Sequence, residues 1–340
     1  MEDQNRWNIE PGQEWVVDFF RPEDAEGVVR LFLSVYGEEY PIRTYVDPEL
    51  LAKENASGRT ISSVARTNKG DIAGHVALFC SAPFQGIKEC GAGLVHSSYR
   101  KGGVNSKLLE HLYEISAPRF GVDCVFGEAV CNHVFMQREV YSMKAEFSAL
   151  EVDLMPATAY EKEKSAPGRV ASLFASRTYR PKPHRVFVPA VYKDALEFIY
   201  SGLNDRRELL FSGEQAIPLS PTRIDLSYFE TAQVSRMAVW EIGPDFRALF
   251  DQEEKKVLER GALVLQVWLN LSVPSIESAV HLLRDKGYFL GGIFPRWFDH
   301  DALLMQKIMK RPDWESIQVH FDRAKRIRDL VYEEWHRTSA

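Results

Sequence analysis

The side chains best suited to chemistry lie in the segment 91–112, whose sequence is GAGLVHSSYRKGGVNSKLLEHL. An apolar strand there ends in a turn that contains Arg100, Lys101, Gly102 and Gly103, and the turn leads into an amphipathic helix. Glycines let the backbone approach a ligand closely, while the free N–H groups and the dipole of a first helical turn favour an anion. The segment therefore predicts a site for a pyrophosphate group, with two basic side chains beside it. The apolar stripe of the helix consists of Val104, Leu108, Leu109 and Leu112.

Two other kinds of phosphate loop do not fit this segment. A Walker loop is excluded because no Gly-Lys-Ser/Thr closes the turn. A dinucleotide-binding fingerprint is excluded because Gly91 and Gly93 lie inside the strand rather than in the turn after it. A plain strand–turn–helix with basic residues on its surface remains the alternative.

A second group of residues could serve acid–base chemistry. Glu128 is the one charged residue in the apolar segment 124–130, and a carboxylate that is desolvated there would suit a general base. A glutamate that faces solvent or pairs with an arginine is the equally weighted alternative. His133 is a second candidate base, although a histidine at a helix start is at least as often a cap or a surface residue. A nucleophilic role for Cys131 is disfavoured, because sequence neighbours such as Cys131 and His133 do not face each other on a helix.

The composition excludes several classes of protein. The chain has 340 residues with 42 Lys and Arg against 48 Asp and Glu, a net charge of −6, so it has no general field for nucleic acid or an anionic membrane. The N-terminal residues lack the apolar core of a signal peptide, and no apolar run approaches the ~18 residues of a membrane span. The four cysteines show no CxxC spacing, which favours reduced thiols over a metal site or disulfides. We therefore expect a cytoplasmic, metal-free protein without nucleic-acid or membrane partners.

Helices and strands alternate along both halves of the chain. The turn at residues 68–71 joins two predicted strands, and Pro118 is expected to end the helix that begins after Gly103. The best linker is RPKPH at residues 180–184, so we expect two domains, 1–183 and 184–340. Both halves combine hairpins with helices, which predicts an α/β (α+β) fold rather than a strict parallel βαβ array.

The segment Tyr99–Leu109, YRKGGVNSKLL, resembles the signature of the GNAT superfamily of acyltransferases. In that signature, Arg/Gln-x-x-Gly-x-Gly/Ala follows a hydrophobic strand and precedes a helix with a leucine pair. Arg100 and Gly103 match it directly, and Asn105 departs from it at the last small position. The order of predicted elements also agrees with the family over residues 14–180. The resemblance implies a mixed, mostly antiparallel central sheet with splayed strands.

The resemblance also implies a binding site for acetyl-CoA or another acyl-CoA. The strand before the turn would face the pantetheine arm, the turn would hold the phosphates, and Asn132 would contact the pantetheine or its bound water. The strand that ends at Val130 would diverge from its neighbour and open the acyl pocket. The implied pantetheine residues are Leu94, Val95 and His96, and the implied phosphate residues are Arg100, Lys101, Gly102, Gly103, Val104 and Asn105.

In the family, a tyrosine on the helix after the splayed strand often protonates the leaving thiolate. Tyr141 lies on that helix, but the spacing from Tyr141 to Phe147 is one residue longer than the family's and lacks its glycine, so a packed helix tyrosine is the alternative. The segment Tyr36–Pro41, with two acids and two aromatics, is the expected substrate wall for a cationic amine, although an acidic loop is more often simply solvated.

The second half resembles the end of another such domain, from residue 265 to residue 293. Its equivalent helix starts with Gly243–Arg247, GPDFR, where Pro244 and Asp245 oppose phosphate binding because the acid competes for the helix start. We therefore expect a degenerate copy without a phosphate loop, with an unrelated α/β domain as the alternative.

The leading hypothesis is an acyl-CoA-dependent N-acyltransferase, a probable acetyltransferase, that acts on an amine of a small molecule or peptide. The amine would attack the thioester directly in a ternary complex. The alternatives are a non-catalytic acyl-CoA-binding or interaction protein and an acyl transfer to oxygen. A homodimer is compatible with the sequence, which does not decide the oligomeric state.

Overall fold

The computed structural model describes residues 9–37, 40, 42–157, 168–212 and 218–339. By its internal contacts the chain divides into two compact units, Met1–Gly127 and Glu128–Ala340. The boundary between residues 183 and 184, which the sequence placed at the linker 180–184, stays a prediction.

The first unit contains a sheet whose central strands are preceded and followed along the chain by helices. Its elements are β1 (Trp15–Phe19), α1 (Ala25–Tyr36), α2 (Pro48–Ala56), β2 (Thr60–Thr67), β3 (Ile72–Phe79), β4 (Ile87–Val95), α3 (Val104–His111), α4 (Ala117–Arg119) and the start of β5 (Cys124–Val130). The strand order is β1-β2-β3-β4-β5. All neighbouring pairs are antiparallel except β4 and β5, which are parallel because α3 and α4 connect them.

The position of α3 against the sheet follows from small and apolar residues on both elements. Val104 and Leu108 of α3 are fully buried, and a Cβ atom on Gly74 of β3 would lie 2.9 Å from a methyl group of each. A glycine at this point therefore lets the helix pack close to the strand. The start of α3 is thereby held at the end of β4.

The helix that begins with α3 does not end at Pro118, as the sequence predicted. A π-helical turn spans Leu112–Ser116, and Pro118 lies in the first turn of α4, which continues to Arg119. Proline is tolerated there because a first turn leaves its N–H groups without intrahelical partners.

The second unit contains the remaining elements. They are α5 (Phe135–Ser142), β6 (Glu146–Met155), β7 (Val170–Thr178), β8 (His184–Pro189), α6 (Lys193–Ser201), β9 (Arg207–Ser212), β10 (Arg223–Phe229), β11 (Val234–Glu241), α7 (Phe246–Glu259), β12 (Val264–Asn270), α8 (Ile276–Asp285), β13 (Phe289–Phe294), β14 (Ala302–Ile308) and α9 (Asp322–Ser339). The large sheet of this unit has the order β7-β6-β13-β14-β12-β11-β10, and β8 and β9 form a separate parallel pair.

The element order of the second half repeats that of the first. Strands β11 and β12 are parallel and connected by α7, as β4 and β5 are parallel and connected by α3 and α4. β6 pairs with β13, and each of these strands forms an antiparallel hairpin with the strand that follows it, β7 and β14. The predicted fold class, α+β with a mixed and mostly antiparallel sheet, is therefore confirmed.

Several local predictions differ from the structure. β4 begins at Ile87 rather than Gly91, and β9 was not predicted. Residues 180–184 are a connection whose last residue, His184, is buried and lies 3.2 Å from a carboxylate oxygen of Asp301. A histidine with a buried ionic partner is part of a core rather than of a free linker.

Candidate functional site

The start of α3 is an open helix terminus. Gly103 is its N-cap residue, with φ +74° in the left-handed region. Among the described residues, no heavy atom lies within 4 Å of the position that a Cβ atom on Gly103 would take. A side chain there would therefore be strained by the backbone rather than by neighbours, and the space in front of the first-turn N–H groups is open to a ligand.

The turn before α3 is fixed by hydrogen bonds, and its residues are exposed to solvent. The hydroxyl of buried Tyr99 donates to the carbonyl of Glu10 (2.6 Å), and the carbonyl of Tyr99 accepts from the N–H of Gly102 (3.1 Å). Arg100 Nε donates to the carbonyl of Val95 (3.3 Å), which ties the turn to the end of β4. The residues from Arg100 to Gly103 are all exposed, so the sequence-predicted phosphate residues form one continuous basic surface.

The remaining predicted phosphate residues differ in exposure. Val104 is fully buried, so its backbone N–H is the group that it can offer to a ligand. Asn105 is half-buried in the first turn of α3. The side chain of Lys107, in the next turn of α3, donates to the carboxylate of Glu110 (2.6 Å), so its charge is paired.

Strand β4 has an unpaired edge beside this turn. Within residues 87–95 and 124–130, all of which are described, the recorded register between β4 and β5 runs from Ile87 opposite Cys124 to Glu89 opposite Phe126 and ends there. On its other side β4 stays paired with β3 up to Val95, opposite Gly74. The backbone groups of β4 after Glu89 are therefore available to an extended ligand that carries amide groups.

A bulge interrupts β4 along that edge. Ala92 has φ +52°, and the register with β3 shifts between His75 opposite Leu94 and Ala77 opposite Gly91. The ring of His75 is completely buried and holds the bulge, since its Nδ1 lies 2.9 Å from the carbonyl oxygen of Ala92 and its Nε2 lies 2.9 Å from the hydroxyl of Ser62. Because a carbonyl only accepts, Nδ1 carries the proton and Nε2 accepts from Ser62.

The charge state of His75 follows from its burial. Desolvation lowers the pKa of His75 to about 4, although the hydrogen bond to the Ala92 carbonyl opposes the shift. The ring is therefore neutral at physiological pH. Sequence reasoning assigned no role to His75, and the available signal was a histidine in the middle of an apolar strand.

A pocket of about 210 Å³ lies between the bulge and the segment that joins α1 to α2. Ala92 forms one wall, and Tyr40, Tyr45 and Glu54 contribute to the others. Tyr40 stacks on Tyr36 with the ring centroids 4.7 Å apart, and burial, with Tyr36 adding to it, raises the pKa of Tyr40 to about 12. The pocket thus combines aromatic walls with a carboxylate, and Arg59 Nε donates to that carboxylate of Glu54 (2.7 Å).

The structure bears on the predicted substrate wall, Tyr36–Pro41, only in part. Tyr36 and Tyr40 are described, and Tyr40 lines the pocket beside Ala92. The two acids of that segment, Glu38 and Glu39, and Pro41 lie outside the described residues. Glu54 is an acid of this pocket that the sequence did not single out.

Glu128, the predicted base, belongs to a charged cluster of the second unit. Its Oε1 lies 3.2 Å from a guanidinium nitrogen of Arg236, which also lies 3.5 Å from Oε1 of the fully buried Glu151. Arg236 Nε donates to Gln266 (2.9 Å), and Gln266 in turn donates to Glu151 (2.8 Å). The carboxylate is thus paired with an arginine, which is the alternative that the sequence left open, and its role as a base stays a prediction.

The other predicted residues of the second unit have different surroundings. Tyr141 is half-exposed, and its ring stacks on Phe321 with the centroids 4.0 Å apart. His133 packs against Phe135 with ring centroids 5.4 Å apart, and its Nδ1 is buried without a hydrogen-bond partner among the described residues. Asn132 lines a cavity of about 310 Å³. The roles of Tyr141 as acid and His133 as alternative base stay predictions.

The start of α7, which the sequence predicted to be unable to bind phosphate, is filled by its own chain. The carboxylate of Asp245 accepts from the N–H of Thr222 (2.8 Å), and the N–H of Gly243 donates to the Thr222 hydroxyl (2.9 Å). A Cβ atom on Gly243 would lie 2.2 Å from the carbonyl oxygen of Ser220. Residues 220–222 therefore fill the space in front of α7, whereas the corresponding space in front of α3 is open.

Three further observations concern the described residues as a whole. No group of three His, Cys, Asp or Glu side chains among them could hold a metal ion. None of the helices in the described ranges is long and apolar enough to cross a membrane. All four cysteines are free thiols.

Solved structures similar to this chain are acetyltransferases. A putative acetyltransferase from Salmonella typhimurium, solved with acetyl-CoA, is 15% identical, covers 50% of this chain and 96% of its own, and has a TM-score of 0.40. The ribosomal-protein-S18-alanine N-acetyltransferase from Escherichia coli is 15% identical over 50% of this chain and 96% of its own, with a TM-score of 0.38. A spermidine/spermine N-acetyltransferase from Vibrio cholerae is 10% identical over 48% of this chain and 95% of its own, with a TM-score of 0.38.

Each of these three structures covers about half of the present chain, and other similar structures are named as GNAT-family or N-acetyltransferase proteins. No model of a protein family matches the sequence. No curated protein matches it either.

Proposed function

We propose that this protein transfers an acyl group, with acetyl as the first candidate, from acyl-coenzyme A to an amine. The observation that carries the proposal is the open start of α3, where Gly103 in the left-handed conformation and the exposed residues Arg100 and Lys101 stand at the end of a strand with a free edge. This arrangement suits a ligand that has a pyrophosphate at one end and an extended, amide-bearing arm at the other.

Binding of the phosphates would depend on backbone groups more than on side chains. The first-turn N–H groups of α3 and the helix dipole favour an anion, and the absence of a Cβ atom on Gly103 lets phosphate oxygens approach them. Arg100 and Lys101 are exposed at the same turn and would add charge-assisted hydrogen bonds. In a chain with a net charge of −6, such local groups are what an anionic ligand requires.

The pantetheine arm would lie along the free edge of β4. Its two amides match the backbone donors and acceptors of the strand after Glu89, as a peptide matches the edge of a sheet. Leu94 and Val95 are half-buried and would provide apolar contacts, whereas buried His96 would contribute mainly its backbone. The bulge at Ala92, held by His75, would set where the arm leaves the strand and therefore where the thioester lies.

The reaction would form a bond between the amine nitrogen and the thioester carbon and break the bond between that carbon and sulfur. The amine loses one proton to a base, and the coenzyme A thiolate takes up one proton from an acid or from water. Glu128 stays the proposed base, directly or through a water, with His133 next in order. Tyr141 is the proposed acid, on the resemblance alone, since its ring stacks on Phe321.

The acceptor amine would bind in the pocket of Tyr40, Tyr45, Glu54 and Ala92. The aromatic faces of this pocket suit a cation, because aromatic rings attract cations. The carboxylate of Glu54, which already accepts from Arg59, would be shared with the ammonium group. Its volume of about 210 Å³ limits the part of the acceptor inside it to a small group, such as the end of a polyamine or an amino terminus.

The decisive experiment measures release of free coenzyme A thiol from acetyl-CoA with and without amines. A panel of polyamines, amino-acid amides and short peptides is expected to contain acceptors that increase release, with the acylated amine identified by mass spectrometry. Glu54→Gln should raise KM for cationic acceptors without changing the affinity for coenzyme A. Release that does not depend on any amine would contradict the transferase proposal.

A non-catalytic acyl-CoA-binding protein is the second candidate. It is favoured by the ion pair of Glu128 with Arg236 and by the stacking of Tyr141 on Phe321, because both contacts occupy side chains that the reaction needs. Saturable binding of coenzyme A together with the absence of turnover on the whole amine panel would support this candidate instead.

A further inference from the structure

A cavity of about 310 Å³ in the second unit is distinct from the proposed acceptor pocket of the first unit. It lies where β6 ends and β7 begins, against the segment 310–318 that follows β14. The charged residues of its lining, within the described ranges, are Asp153, Arg169, Lys310, Arg311 and Asp313. A volume of this size is at the lower end of what small-molecule sites usually have.

Asp153 is placed in this cavity by an irregular strand. Between β6 and β7 the register moves from Glu151 opposite Ser172 to Met155 opposite Val170, so β6 carries extra residues at this point. Asp153 lies within that bulge, with φ +53° in the left-handed region. Bulges re-aim side chains and backbone strain of this kind is concentrated at functional sites, which makes the cavity more than a packing defect.

Asp153 lines the cavity, and Arg169 fixes the backbone on which it stands. Arg169 Nε donates to the backbone carbonyl of Asp153 (2.7 Å), and its terminal nitrogen donates to the carbonyl of Leu154 (3.0 Å), so Arg169 holds the backbone of the bulge. Burial raises the pKa of Asp153 to about 6; Asp313 adds to the shift and the charge of Arg169 opposes it.

Both signs of charge occur in the lining, on two segments of the chain. Asp153 is buried at the end of β6, where Arg169 binds its backbone, while Lys310 and Arg311 are exposed in the segment after β14. Asp313 lies in the same segment, and its carboxylate accepts from the N–H of Ser316 (3.3 Å). Three apolar residues, Val170, Ala171 and Ile317, line the same cavity. A ligand that fits has a cationic group, an anionic group and an apolar part.

We propose that this cavity binds a small zwitterion with an apolar side chain, an amino-acid-like molecule whose ammonium group meets Asp153 and whose acid group meets Lys310 and Arg311. A simple phosphate or dicarboxylate fits less well, because Asp153 and Asp313 repel it. A divalent cation fits less well, because Lys310, Arg311 and Arg169 oppose it. The proposal does not depend on acyl-CoA binding, since Asp153, Lys310 and Arg311 have no part in the acyl-transfer site proposed above.

The test begins with the full chain and the common L-amino acids, ranked by thermal stabilisation, followed by calorimetry with a matched trio. For L-phenylalanine the trio consists of L-phenylalanine itself, phenethylamine, which lacks the acid, and 3-phenylpropanoate, which lacks the amine. The zwitterion should bind at least about tenfold more tightly than either partial ligand, which corresponds to about 1.4 kcal/mol. Affinity for the zwitterion should fall about tenfold from pH 7 to pH 5, because protonation removes the charge of Asp153.

Substitutions separate the two ends of the ligand. Asp153→Asn should weaken L-phenylalanine and phenethylamine by about tenfold or more and leave 3-phenylpropanoate unchanged, while Lys310→Gln combined with Arg311→Gln should do the reverse. Asparagine tolerates a left-handed backbone as aspartate does, so Asp153→Asn should keep the fold. Asp322→Asn, at an exposed position of α9, is the control with the same charge change.

Three outcomes would overturn the proposal. The first is that no common amino acid stabilises or binds the full chain. The second is that Asp153→Asn weakens all three members of the trio alike. The third is that Asp322→Asn has the same effect as Asp153→Asn. None of these outcomes affects the acyl-transfer proposal, which is tested by thiol release in the absence of amino acids.

Discussion

The helices α3 and α7 start in equivalent places of a repeated element order, yet only one start is open to a ligand. In front of α3, Gly103 faces empty space among the described residues, and the neighbouring side chains are basic. In front of α7, Asp245 and residues 220–222 fill the equivalent space, and the side chain at the helix start is an acid. The same order of elements therefore gives an open helix start or a closed one, depending on a few residues in the turn.

The strand pairs next to these helices also differ, because the pair beside α3 leaves an edge open and the pair beside α7 does not. β4 and β5 stay in register from Ile87 to Glu89 only, whereas β11 and β12 are paired from Val234, opposite Val264, to Val239, opposite Leu269. A strand pair that is closed along its length has no free edge to offer an extended ligand. The second copy thus lacks both the open helix start and the free strand edge, which agrees with one ligand per chain.

The largest expected effect comes from closing the open start. Gly103→Glu should weaken coenzyme A binding by at least about 100-fold, because a carboxylate would stand against the pyrophosphate and the residue would be strained at positive φ. Isothermal titration calorimetry measures this. Gly287→Glu is the matched control, since Gly287 has φ +85° and open space around it but follows the end of α8. Equal affinity in wild type and Gly103→Glu would remove the basis of the comparison.

The next effect concerns the rate. Glu128→Gln should lower kcat by at least about 10²-fold at pH 7 and leave coenzyme A affinity near that of the wild type, because the amine proton loses its acceptor. Steady-state thiol release over a pH series measures this, and the acidic limb of the profile should vanish. Glu208→Gln, at an exposed ion pair with Arg185, is the control. A variant that keeps its rate and its acidic limb would make His133 the next candidate.

A smaller effect is expected from the bulge in β4. His75→Leu removes the donor to the Ala92 carbonyl and leaves buried polar groups unpaired, which should cost about 1–3 kcal/mol of stability and weaken coenzyme A binding by roughly tenfold. His75→Asn keeps a donor near the position of Nδ1 and should recover most of the affinity. If both variants bind like the wild type, the bulge does not position the ligand.

Buried histidines of the two units should give opposite pH dependences of stability. The folded-state pKa of His75 is about 4, below the unfolded value of about 6.5, so its contribution is present at neutral pH and is lost as pH falls, by on the order of 2–3 kcal/mol. Burial opposes the charge of His184, but the carboxylate of Asp301, which lies 3.2 Å from Nε2, outweighs it and raises the pKa of His184. Its contribution is therefore complete below the unfolded pKa and is lost as pH rises through the folded pKa.

Denaturant unfolding from pH 4 to pH 9 measures both dependences. His75→Asn should flatten the acidic side of the stability curve, and His184→Gln should flatten the side above neutral pH. If His184→Gln leaves the alkaline side unchanged, the pair with Asp301 does not determine it.

The smallest effect is expected at the closed start of α7. Asp245→Asn should change coenzyme A affinity by less than about twofold and leave the stoichiometry at one molecule per chain, because residues 220–222 still occupy the space. Calorimetry of wild type and Asp245→Asn measures both quantities. Two molecules bound to the wild-type chain would show that the second copy is not degenerate.

The sequence alone determined the class of elements and the position of the open, basic helix start. Glycine conformation and apolar periodicity are local properties, so the turn at Gly102 and Gly103, the strand before it and the helix after it could be read directly. The sequence also predicted that Asp245 opposes phosphate binding, because an acid at a helix start acts on the N–H groups of the adjacent residues.

What only the tertiary structure decided were the contacts between segments far apart in the chain. The pairing of Glu128 with Arg236, the stacking of Tyr141 on Phe321 and the hydrogen bond of His75 to Ala92 all join residues whose proximity no local pattern encodes. The same is true of Asp153, an acid in an apolar strand much like Glu128, which lines one cavity with residues from the other end of the chain. Charge and burial are properties of such assembled neighbourhoods, and they determine which side chains can take part in binding or proton transfer.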